Sequence, residues 1–578
     1  MEVVISVCVY FLIVLGILSV QFNNEVKFEN VVVSYLFIVS SYAIIKTSGH
    51  TLYWVPLILV IVSIFKGQYK VRLSRPKFGD IVAAGVIWLI FFGLYFILND
   101  FKFGVYHEDY IIYSRIAHYN DIVGVENTKS VYNFFQSGLR NEIYHFTELW
   151  GIAFLRYFTS LSLLINYVFV LGPIFSFIIY LGFRQVYSSY SFVIALLSVF
   201  CILFISSPYD KIVSVIGVDL PMLGVGDTIL SIKNIFIIPV FLYLFVSLRD
   251  RNFSFLIFSI LVFLYPLIIP VVLPAVCMYF FLVHKYSLKF YLYPLLVLIF
   301  FFLYSLYLST GTQFADIYNF NNYKILLKVI FIGLFIGTSI FVFNWKYFDN
   351  DKLKQQYYLI SLVVILTSLI LWVLFYQNIN SNQFFRNVFH SLLCIQVTFL
   401  IVESIVNKKL IFSFVFICVF IIPFYLNDFK FVSVPNLDNV NFKSSLKKNS
   451  NILFIPDVNK DRSIYDYIDY MYYDLNKLHF KREYLNVLSV SSAFPVSKKI
   501  DSESELSMLN SYRNSSPLFN YCGEIDLSNL DCLIEFSLDN DIDYIVSSIN
   551  NGSLMDCYSD ILFDQYYIYS ANCFILLN

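Results

Sequence analysis

The chain has 578 residues, of which 59% are hydrophobic and 14% charged, and its formal net charge is −1. Soluble proteins average roughly 45–50% apolar and 25% charged residues, so this composition excludes a water-soluble enzyme. The near-zero net charge gives no indication of a nucleic-acid partner. Uncharged apolar runs recur from residue 1 to residue 427, each about long enough for the ~30 Å hydrocarbon core of a bilayer, and predict a polytopic membrane protein.

The predicted fold class is mainly α, a polytopic α-helical membrane protein of about 13–14 spans. Candidate spans lie at residues 3–22, 31–46, 51–65, 81–98, 159–183, 189–206, 229–248, 253–267, 270–283, 290–308, 325–343, 358–376, 387–406 and 410–427. The first is read as a retained span, because the N-terminus lacks the basic region and cleavage site of a signal peptide. If 31–46 and 51–65 instead form a re-entrant hairpin, the N-terminus moves to the cytoplasm.

The apolar run at residues 253–283 is too long for one helix and contains Pro266, Pro270 and Pro274. Because proline removes a backbone donor and disfavours helix just before it, we expect two spans joined by a tight turn at residues 268 and 269. With this split the basic residues near the span ends fall in alternate loops, as the positive-inside rule requires. These loops contain residues 66–77, 184, 249–251, 285–289, 346–354 and 408–409.

The alternation places residues 99–150, residues 207–228 and everything after residue 428 on the outer side. The chain is therefore predicted to have two domains. The transmembrane domain comprises residues 1–428 and carries the two outer loops, and the extracytoplasmic domain comprises residues 429–578. In the second domain strands and helices alternate, which indicates a small α/β fold. The predicted strands are 451–456, 484–490, 543–548, 566–570 and 573–577, and the predicted helices are 461–480 and 502–513.

The outer domain contains four of the nine cysteines, and an even number on an oxidising side permits two disulfides with three connectivities. The expected pairs are Cys522 with Cys532 and Cys557 with Cys573. The other five cysteines lie in spans and are expected to be buried apolar side chains.

Charged residues are nearly absent from the spans, where ion-coupled transporters usually carry ionisable groups. Arg156, Lys233 and Glu403 are the only charges in or beside apolar runs, and each is close enough to a span end to reach water. This pattern disfavours transport and directs attention to the outer loops.

The outer loop begins with a predicted surface helix at residues 105–117. Ile111, Ile112 and Ile116 share one side of it, and the adjacent carboxylates Glu108 and Asp109 lie at its start, where the helix N-terminus stabilises negative charge. A solvated acidic cap is the structural alternative to a catalytic role.

The end of the loop places His145 and Glu148 three residues apart, hence on one helical face. Together with Glu108 they could hold a divalent cation, Mg or Mn, through oxygen and imidazole ligands; hydrogen-bonded surface residues are the alternative. Cations at the outer boundary could bind a phosphate, although ordinary interfacial anchoring would also explain them. The candidates for substrate and phosphate binding are His107, Arg115, Arg140, Lys211 and Arg386.

These features resemble the GT-C superfamily of membrane glycosyltransferases, which use polyprenyl-phosphate-linked sugars. The resemblance covers most of the chain: an acidic pair on a surface helix of an outer loop, many spans with short loops, and a C-terminal extracytoplasmic α/β domain. The segments that carry it, similar to those of uncharacterised bacterial members, are residues 106–117, 144–150, 377–386, 566–569 and 573–577.

The resemblance implies transfer of a sugar from a polyprenyl-phosphate donor to a glycan, lipid or protein acceptor at the outer face of a bacterial cytoplasmic (inner) membrane, in surface polysaccharide or glycoconjugate synthesis. It implies Asp109 as general base, Glu108 as its partner or a metal ligand, and His145 with Glu148 in support. The apolar cavity among the spans would take the prenyl chain, and the C-terminal domain would cover the cavity or help select the acceptor. Membrane lipid is a further expected partner. Two alternatives remain: a surface polysaccharide polymerase or ligase, and a flippase or transporter of lipid-linked saccharide.

Overall fold

The architecture is that of a computed structural model. The described residues are 2–22, 27–66, 71–73, 75–99, 101, 103–106, 109–128, 141–159, 161–205, 229, 233–250, 252–284, 286–309, 352–374, 381–421, 432–433, 451–455, 486–489, 521–522, 530–540, 542–547, 558–562 and 566–570. The chain divides into two units. The first comprises Met1–Leu94, Glu142–Leu155 and Ile165–Lys430, and the second comprises Tyr95–Asn141, Arg156–Leu164 and Phe431–Asn578.

Helices account for nearly all of the described residues of the first unit. In chain order they are α1 (Glu2–Ser19), α2 (Phe28–Lys46), α3 (Trp54–Lys66), α4 (Phe78–Tyr95), α6 (Phe146–Thr159), α7 (Leu163–Ile165), α8 (Gly172–Val186), α9 (Phe192–Phe204), α10 (Lys233–Arg249), α11 (Phe255–Leu261), α12 (Ile269–Tyr279), α13 (Leu292–Ser309), α14 (Lys352–Leu374), α15 (Ser381–Val406) and α16 (Leu410–Phe420). One short antiparallel ribbon pairs β1 (Val20–Phe22) with β2 (Val71–Leu73). α6 and α7 extend into the second unit.

Seven helical segments of the described chain are long and apolar enough to cross a membrane, which fits a multi-pass helical membrane protein. They are Phe28–Lys46, Phe78–Asn99, Leu163–Val186, Pro266–Val283, Leu288–Leu308, Gln355–Leu374 and Gln383–Val406. Four shorter apolar helices accompany them, at Val3–Ser19, Trp54–Lys66, Phe192–Phe204 and Phe255–Leu264. Every predicted span overlaps a helix except 325–343, which lies outside the described residues.

The centre of the first unit is formed by α8, α10 and α15. Gly172–Phe183 of α8 and Asn234–Leu248 of α10 are buried along their whole lengths, and α15 packs against α9, α10, α14 and α16. In contrast, α13 exposes large apolar side chains such as Phe302 and Tyr307. A helix that is apolar all round is either buried in protein or suited to contact with lipid. α10 is of the first kind, and the exposed apolar side chains of α13 suit the second.

The apolar run at 253–283 is interrupted at Tyr265, whose backbone angles (φ −143°, ψ 83°) are not helical. Pro266 follows directly, lacks an N–H group and disfavours helix in the residue before it. The interruption was predicted from the prolines, but its position differs: it lies three residues before the predicted turn, and Ile269 already belongs to α12.

The second unit contains helix α5 (Asp109–Val123) and a mixed sheet. Strands β6 (Asn486–Ser489), β5 (Asn451–Ile455) and β7 (Tyr544–Ser547) run parallel, and β9 (Tyr566–Ser570) and β8 (Tyr558–Leu562) continue the sheet antiparallel. Helix α17 (Leu530–Asp539) precedes β7. A separate antiparallel pair joins β3 (Gly104–Val105) to β4 (Val432–Ser433).

Four of the five predicted strands of this unit are present in the sheet, as β5, β6, β7 and β9. The predicted strand 573–577 and the predicted helices 461–480 and 502–513 lie outside the described residues. β8 and α17 were not predicted. Cys522 and Cys532 form a disulfide, which is one of the two expected pairs; Cys557 and Cys573 lie outside the described residues.

Candidate functional site

The predicted catalytic loop is described in part. Asp109 is the first residue of α5, so its backbone occupies the helix N-terminus, where negative charge is favoured. His107 and Glu108 lie outside the described residues, and so do the side chains of Asp109 and Arg115. The buried side of α5 is formed by other residues: Tyr110, Tyr113, Ser114, Ile116, Ala117, His118 and Asn120.

Of the remaining predicted residues, the structure brings His145 and Glu148 together in the first unit. His145 directly precedes α6, Glu148 lies in the first turn of that helix, and Nδ1 of the histidine is 2.7 Å from Oε1 of the carboxylate. Each side chain is only 1% exposed. Arg386 lies on α15 and is partly buried, whereas Arg140 and Lys211 lie outside the described residues.

The two oxygens of Glu148 have different surroundings. Oε1 accepts a hydrogen bond from the Tyr167 hydroxyl at 3.2 Å in addition to its contact with His145. Oε2 is fully buried and accepts no hydrogen bond within the described part of the chain. Because a buried polar atom without a partner is costly, such an atom in a native protein needs an explanation, which can be a catalytic role, a bound ligand or an ordered water. Glu148 therefore presents one acceptor that a substrate could fill.

Tyr167 lies on a short π-helical stretch, Asn166–Leu171, between α7 and α8. Such π-helical turns are rare and are frequently found at functional sites. Asn166 and Tyr167 are both fully buried there. The π-helical turn thus carries the tyrosine whose hydroxyl donates a hydrogen bond to Glu148.

Hydrogen bonds through Thr147 fix the start of α6. The Thr147 hydroxyl donates to the carbonyl of Phe263, so the Tyr53 hydroxyl must donate to Thr147 Oγ1, at 2.6 Å. The Tyr35 hydroxyl donates to the Thr147 carbonyl at 3.1 Å. These bonds tie the helix turn that carries Glu148 to three separate segments, which gives the carboxylate a rigid base.

The helix interruption at Tyr265 supplies the other wall of this site. The His145 ring stacks on the Tyr265 ring with centroids 5.1 Å apart and an interplanar angle of 7°. The Tyr265 hydroxyl donates to Gln383 Oε1 at 2.9 Å and accepts from Asn387 Nδ2 at 2.8 Å. Tyr265 thereby links the histidine of the pair to α15.

Polar side chains continue along α15 beyond Asn387. His390 is one turn further on and is buried, and its Nε2 atom is 3.4 Å from Cys394 Sγ. Gln383, Asn387, His390 and Cys394 recur every three or four residues and therefore share one helix face. The stripe was not predicted, because only Asp, Glu, Lys and Arg were considered as polar residues of the spans. The recurrence of uncharged polar residues every three or four positions in an apolar span was nevertheless visible in the sequence.

Two charges expected at span ends, where they could reach water, have other surroundings. Glu403 is only 7% exposed, because α15 lies at the centre of the first unit. In the second unit, Arg156 Nη1 lies 3.0 Å from Nδ1 of the buried His118. Since a guanidinium can only donate, Nδ1 accepts and the imidazole is neutral with its proton on Nε2.

The predicted divalent-cation site is not assembled by the described residues. Among them, no three His, Cys, Asp or Glu side chains lie close enough together to hold a metal ion. His145 and Glu148 are adjacent, but Glu108, the third expected ligand, lies outside the described residues.

Comparison with known proteins adds no assignment. No protein-family model matches the sequence, and no protein of curated function is a significant match. A functional conclusion therefore depends on the chemistry of the buried pair and its surroundings.

Proposed function

We propose that this protein is an integral-membrane glycosyltransferase that moves a sugar from a polyprenyl-phosphate donor to an acceptor at the outer face of the membrane. The observation that carries the proposal is the buried carboxylate of Glu148, which is held on one oxygen and open on the other. The helical unit around it is apolar, as a site for a prenyl chain must be. The membrane is proposed to be the bacterial cytoplasmic membrane.

The reaction needs a base and a means of stabilising the leaving phosphate. The base takes the proton of the acceptor hydroxyl, the hydroxyl oxygen bonds to the anomeric carbon, and the bond between that carbon and the phosphate oxygen breaks. The electron pair of that bond leaves with the lipid phosphate. Cations stabilise the negative charge of the leaving phosphate. Among the described residues, the candidate for this role is Arg386, which precedes Asn387 on α15.

Two carboxylates compete for the role of base. Asp109 is the candidate implied by the resemblance, with Glu108 as its partner. Glu148 is favoured by its surroundings: His145 contacts Oε1, and Oε2 can accept the proton of a substrate hydroxyl. In this arrangement His145 is a positioning residue, since it acts on the substrate only through Glu148.

The experiment uses a strain that lacks the gene, complemented with variants, and measures prenyl-phosphate sugar in lipid extracts. We expect Glu148→Gln to slow transfer by a factor of about 10²–10⁴, so the lipid-linked sugar accumulates as in the deletion strain. The matched control is Asp250→Asn, which removes an exposed carboxylate paired with Arg249. If Asp109→Asn alone causes accumulation, the base is Asp109, and if the deletion strain accumulates no lipid-linked sugar, glycosyl transfer is refuted.

The polar stripe on α15 favours a second candidate, a flippase or transporter of lipid-linked saccharide. Polar groups inside a membrane often line a substrate path, and Asn387 and His390 are buried within a helix long enough to span. Proteoliposomes with a fluorescent lipid-linked saccharide distinguish the two. A transporter exchanges the lipid between leaflets without consuming it, whereas a transferase releases the prenyl phosphate. A polymerase, the remaining alternative, would yield products of increasing length.

A further inference from the structure

The polar stripe on α15 extends beyond Cys394. Ser391 and Thr398 lie on the same helix face, so Asn387, Ser391, Cys394 and Thr398 follow one another at intervals of three or four residues. All four side chains are buried, and the last three are 0% exposed. This buried row of four residues therefore runs about 16 Å along the helix axis through the interior of the first unit.

The hydroxyl groups of Ser391 and Thr398 are not used by their own helix backbone. A serine or threonine in a helix can donate to the carbonyl three or four residues before it, as Ser361 and Thr367 on α14 do at 2.9 Å. Ser391 Oγ and Thr398 Oγ1 are fully buried and have no hydrogen-bond partner within the described residues. Two such hydroxyls in one row need a common explanation, and a row of bound molecules that hydrogen-bond to both supplies one.

The spacing of the buried row suits water. Successive side chains are about 4.5–6 Å apart along the helix axis, and one water molecule that hydrogen-bonds to two groups joins atoms about 5–6 Å apart. Buried waters occupy enclosed polar sites of this kind, whereas a sugar ring needs a wider opening than these fully buried side chains leave. Water is therefore the occupant that the row favours.

The outer end of the row adjoins the Glu148 site. Asn387 Nδ2 donates to the Tyr265 hydroxyl at 2.8 Å, and the Tyr265 ring stacks on the ring of His145, which contacts Glu148. A buried base must lose the proton that it takes from each acceptor before the next reaction cycle. A path that carries protons away from this end of α15 would meet that need.

The other end of the row approaches the predicted cytoplasmic side. About one turn beyond Thr398, the buried Ser413 hydroxyl lies 3.5 Å from the carbonyl oxygen of Ile401. Ser413 belongs to the beginning of α16, directly after the loop that contains residues 408–409. Polar groups thus continue from the row toward the basic residues that the positive-inside rule places in the cytoplasm.

We propose that the buried row binds a file of water molecules that conducts protons between Tyr265 and the cytoplasmic side. In each step an O–H bond of a protonated water breaks as an O–H bond to the next water forms, and the side chains serve as hydrogen-bond partners. Polar groups inside a membrane commonly mark such proton relays. The use of this file by Glu148 rests on the glycosyl-transfer proposal, whereas the file itself does not.

The test measures proton entry into liposomes that contain the purified full-length protein and an enclosed pH-sensitive dye. An external pH step starts the entry, and valinomycin with equal K⁺ on both sides cancels the membrane potential. Wild-type protein is expected to admit protons faster than protein-free liposomes do. Thr398→Val and Ser391→Ala should each lower the protein-dependent rate about ten-fold, the equivalent of one hydrogen bond to water. Thr398→Ser, which keeps a hydroxyl, should retain the rate.

The matched controls are Ser361→Ala and Thr367→Val, which make the same chemical changes where the hydroxyl donates to its own helix. Both are expected to leave the rate unchanged. A wild-type rate equal to that of protein-free liposomes, or unchanged rates in both Ser391→Ala and Thr398→Val, would overturn the proposal. Glucose entry that is lost in Thr398→Val would also overturn it, since the row would then line a wider path for sugars. If proton entry behaves as expected while the deletion strain accumulates no lipid-linked sugar, glycosyl transfer fails and the water file stands.

Discussion

Gly151 on α6 lies where the Tyr35 side chain crosses that helix, one turn after Thr147. A Cβ atom added at Gly151 would lie 2.2 Å from the Tyr35 hydroxyl oxygen, 3.2 Å from its Cζ atom and 3.3 Å from Leu171 Cδ2. The Tyr35 side chain cannot move away without losing stabilising interactions. Its hydroxyl donates to the Thr147 carbonyl, and its ring packs edge-on against the Phe175 ring with centroids 4.8 Å apart. Gly151→Ala therefore perturbs the packing beneath the Glu148 site.

The magnitude follows from three contributions. Overpacking of a close-packed interior costs about 1–3 kcal/mol, and loss of the buried hydrogen bond from Tyr35 costs about 1 kcal/mol. The higher helix propensity of alanine offsets about 1 kcal/mol of this cost. We expect Gly151→Ala to lower the free energy of unfolding by about 1–3 kcal/mol.

The assay is thermal unfolding of the detergent-purified protein, with Gly93→Ala as the matched control. Gly93 is also in a helix, but a Cβ atom there would have no neighbour within 4 Å, so its substitution is expected to be neutral or slightly stabilising. The decisive measurement repeats Gly151→Ala in a Tyr35→Phe background. Without the hydroxyl, most of the clash is removed and the added cost of alanine should largely vanish. Equal unfolding temperatures for the two alanine variants, or strictly additive effects with Tyr35→Phe, would refute this reasoning.

Two further predictions concern the second unit. Cys522→Ser should release Cys532 as a thiol that can be alkylated without prior reduction. It should also destabilise the second unit by about 2–3 kcal/mol, because the disulfide closes a loop with a sequence separation of 10. Cys8→Ser, which removes an exposed free thiol, is the control, and an unchanged number of alkylated thiols in Cys522→Ser would contradict the pairing. The hydrogen bond from the Tyr521 hydroxyl to Asp539 raises the pKa of this phenol to about 12. Since only the neutral phenol donates, its stabilising contribution is complete below the unfolded-state pKa of about 10 and is lost as the pH rises through 12. Subtracting the tyrosinate absorbance titration of Tyr521→Phe from that of the wild type should leave one residue that titrates near pH 12. A difference that titrates near the ordinary pH of about 10 would exclude the bond.

The elements that could be predicted from the sequence are those whose signal is local. Apolar runs predicted the helices, and runs rich in β-branched and aromatic residues predicted the strands β5, β7 and β9. Each of these patterns lies within a single element and shows which of its side chains are suited to burial. β8 was missed because its sequence, Tyr558–Leu562, has Ser and Asp in the middle of the run. It joins the sheet by pairing with β9, which no local pattern encodes.

The site could be predicted only in part, for the same reason. The spacing of His145 and Glu148 predicted that the two would meet, and they do, although His145 precedes the helix. Their burial could not be predicted, since it depends on partners more than a hundred residues away, such as Tyr265 and Tyr35. The sequence placed the pair at the end of an outer loop, where it enters the next membrane element, and the structure buries both side chains among helices.

A structural salt bridge is the plainest alternative to a functional role for Glu148, and another carboxylate of the first unit illustrates what that would look like. Asp80 accepts a hydrogen bond from the Tyr180 hydroxyl at 2.6 Å, lies 4.0 Å from Arg184 and remains 13% exposed, so water can complete its hydrogen bonding. Glu148 is 1% exposed, and no water-filled surface is available to its second oxygen. Burying a carboxylate costs several kcal/mol even when it is paired, and an open lone pair adds to that cost. The hydrogen bonding of Asp80 can therefore be completed by water, whereas that of Glu148 lacks a partner for Oε2 among the described residues. The missing partner of Glu148 Oε2 is explained if a substrate hydroxyl donates a hydrogen bond to this oxygen during each reaction cycle.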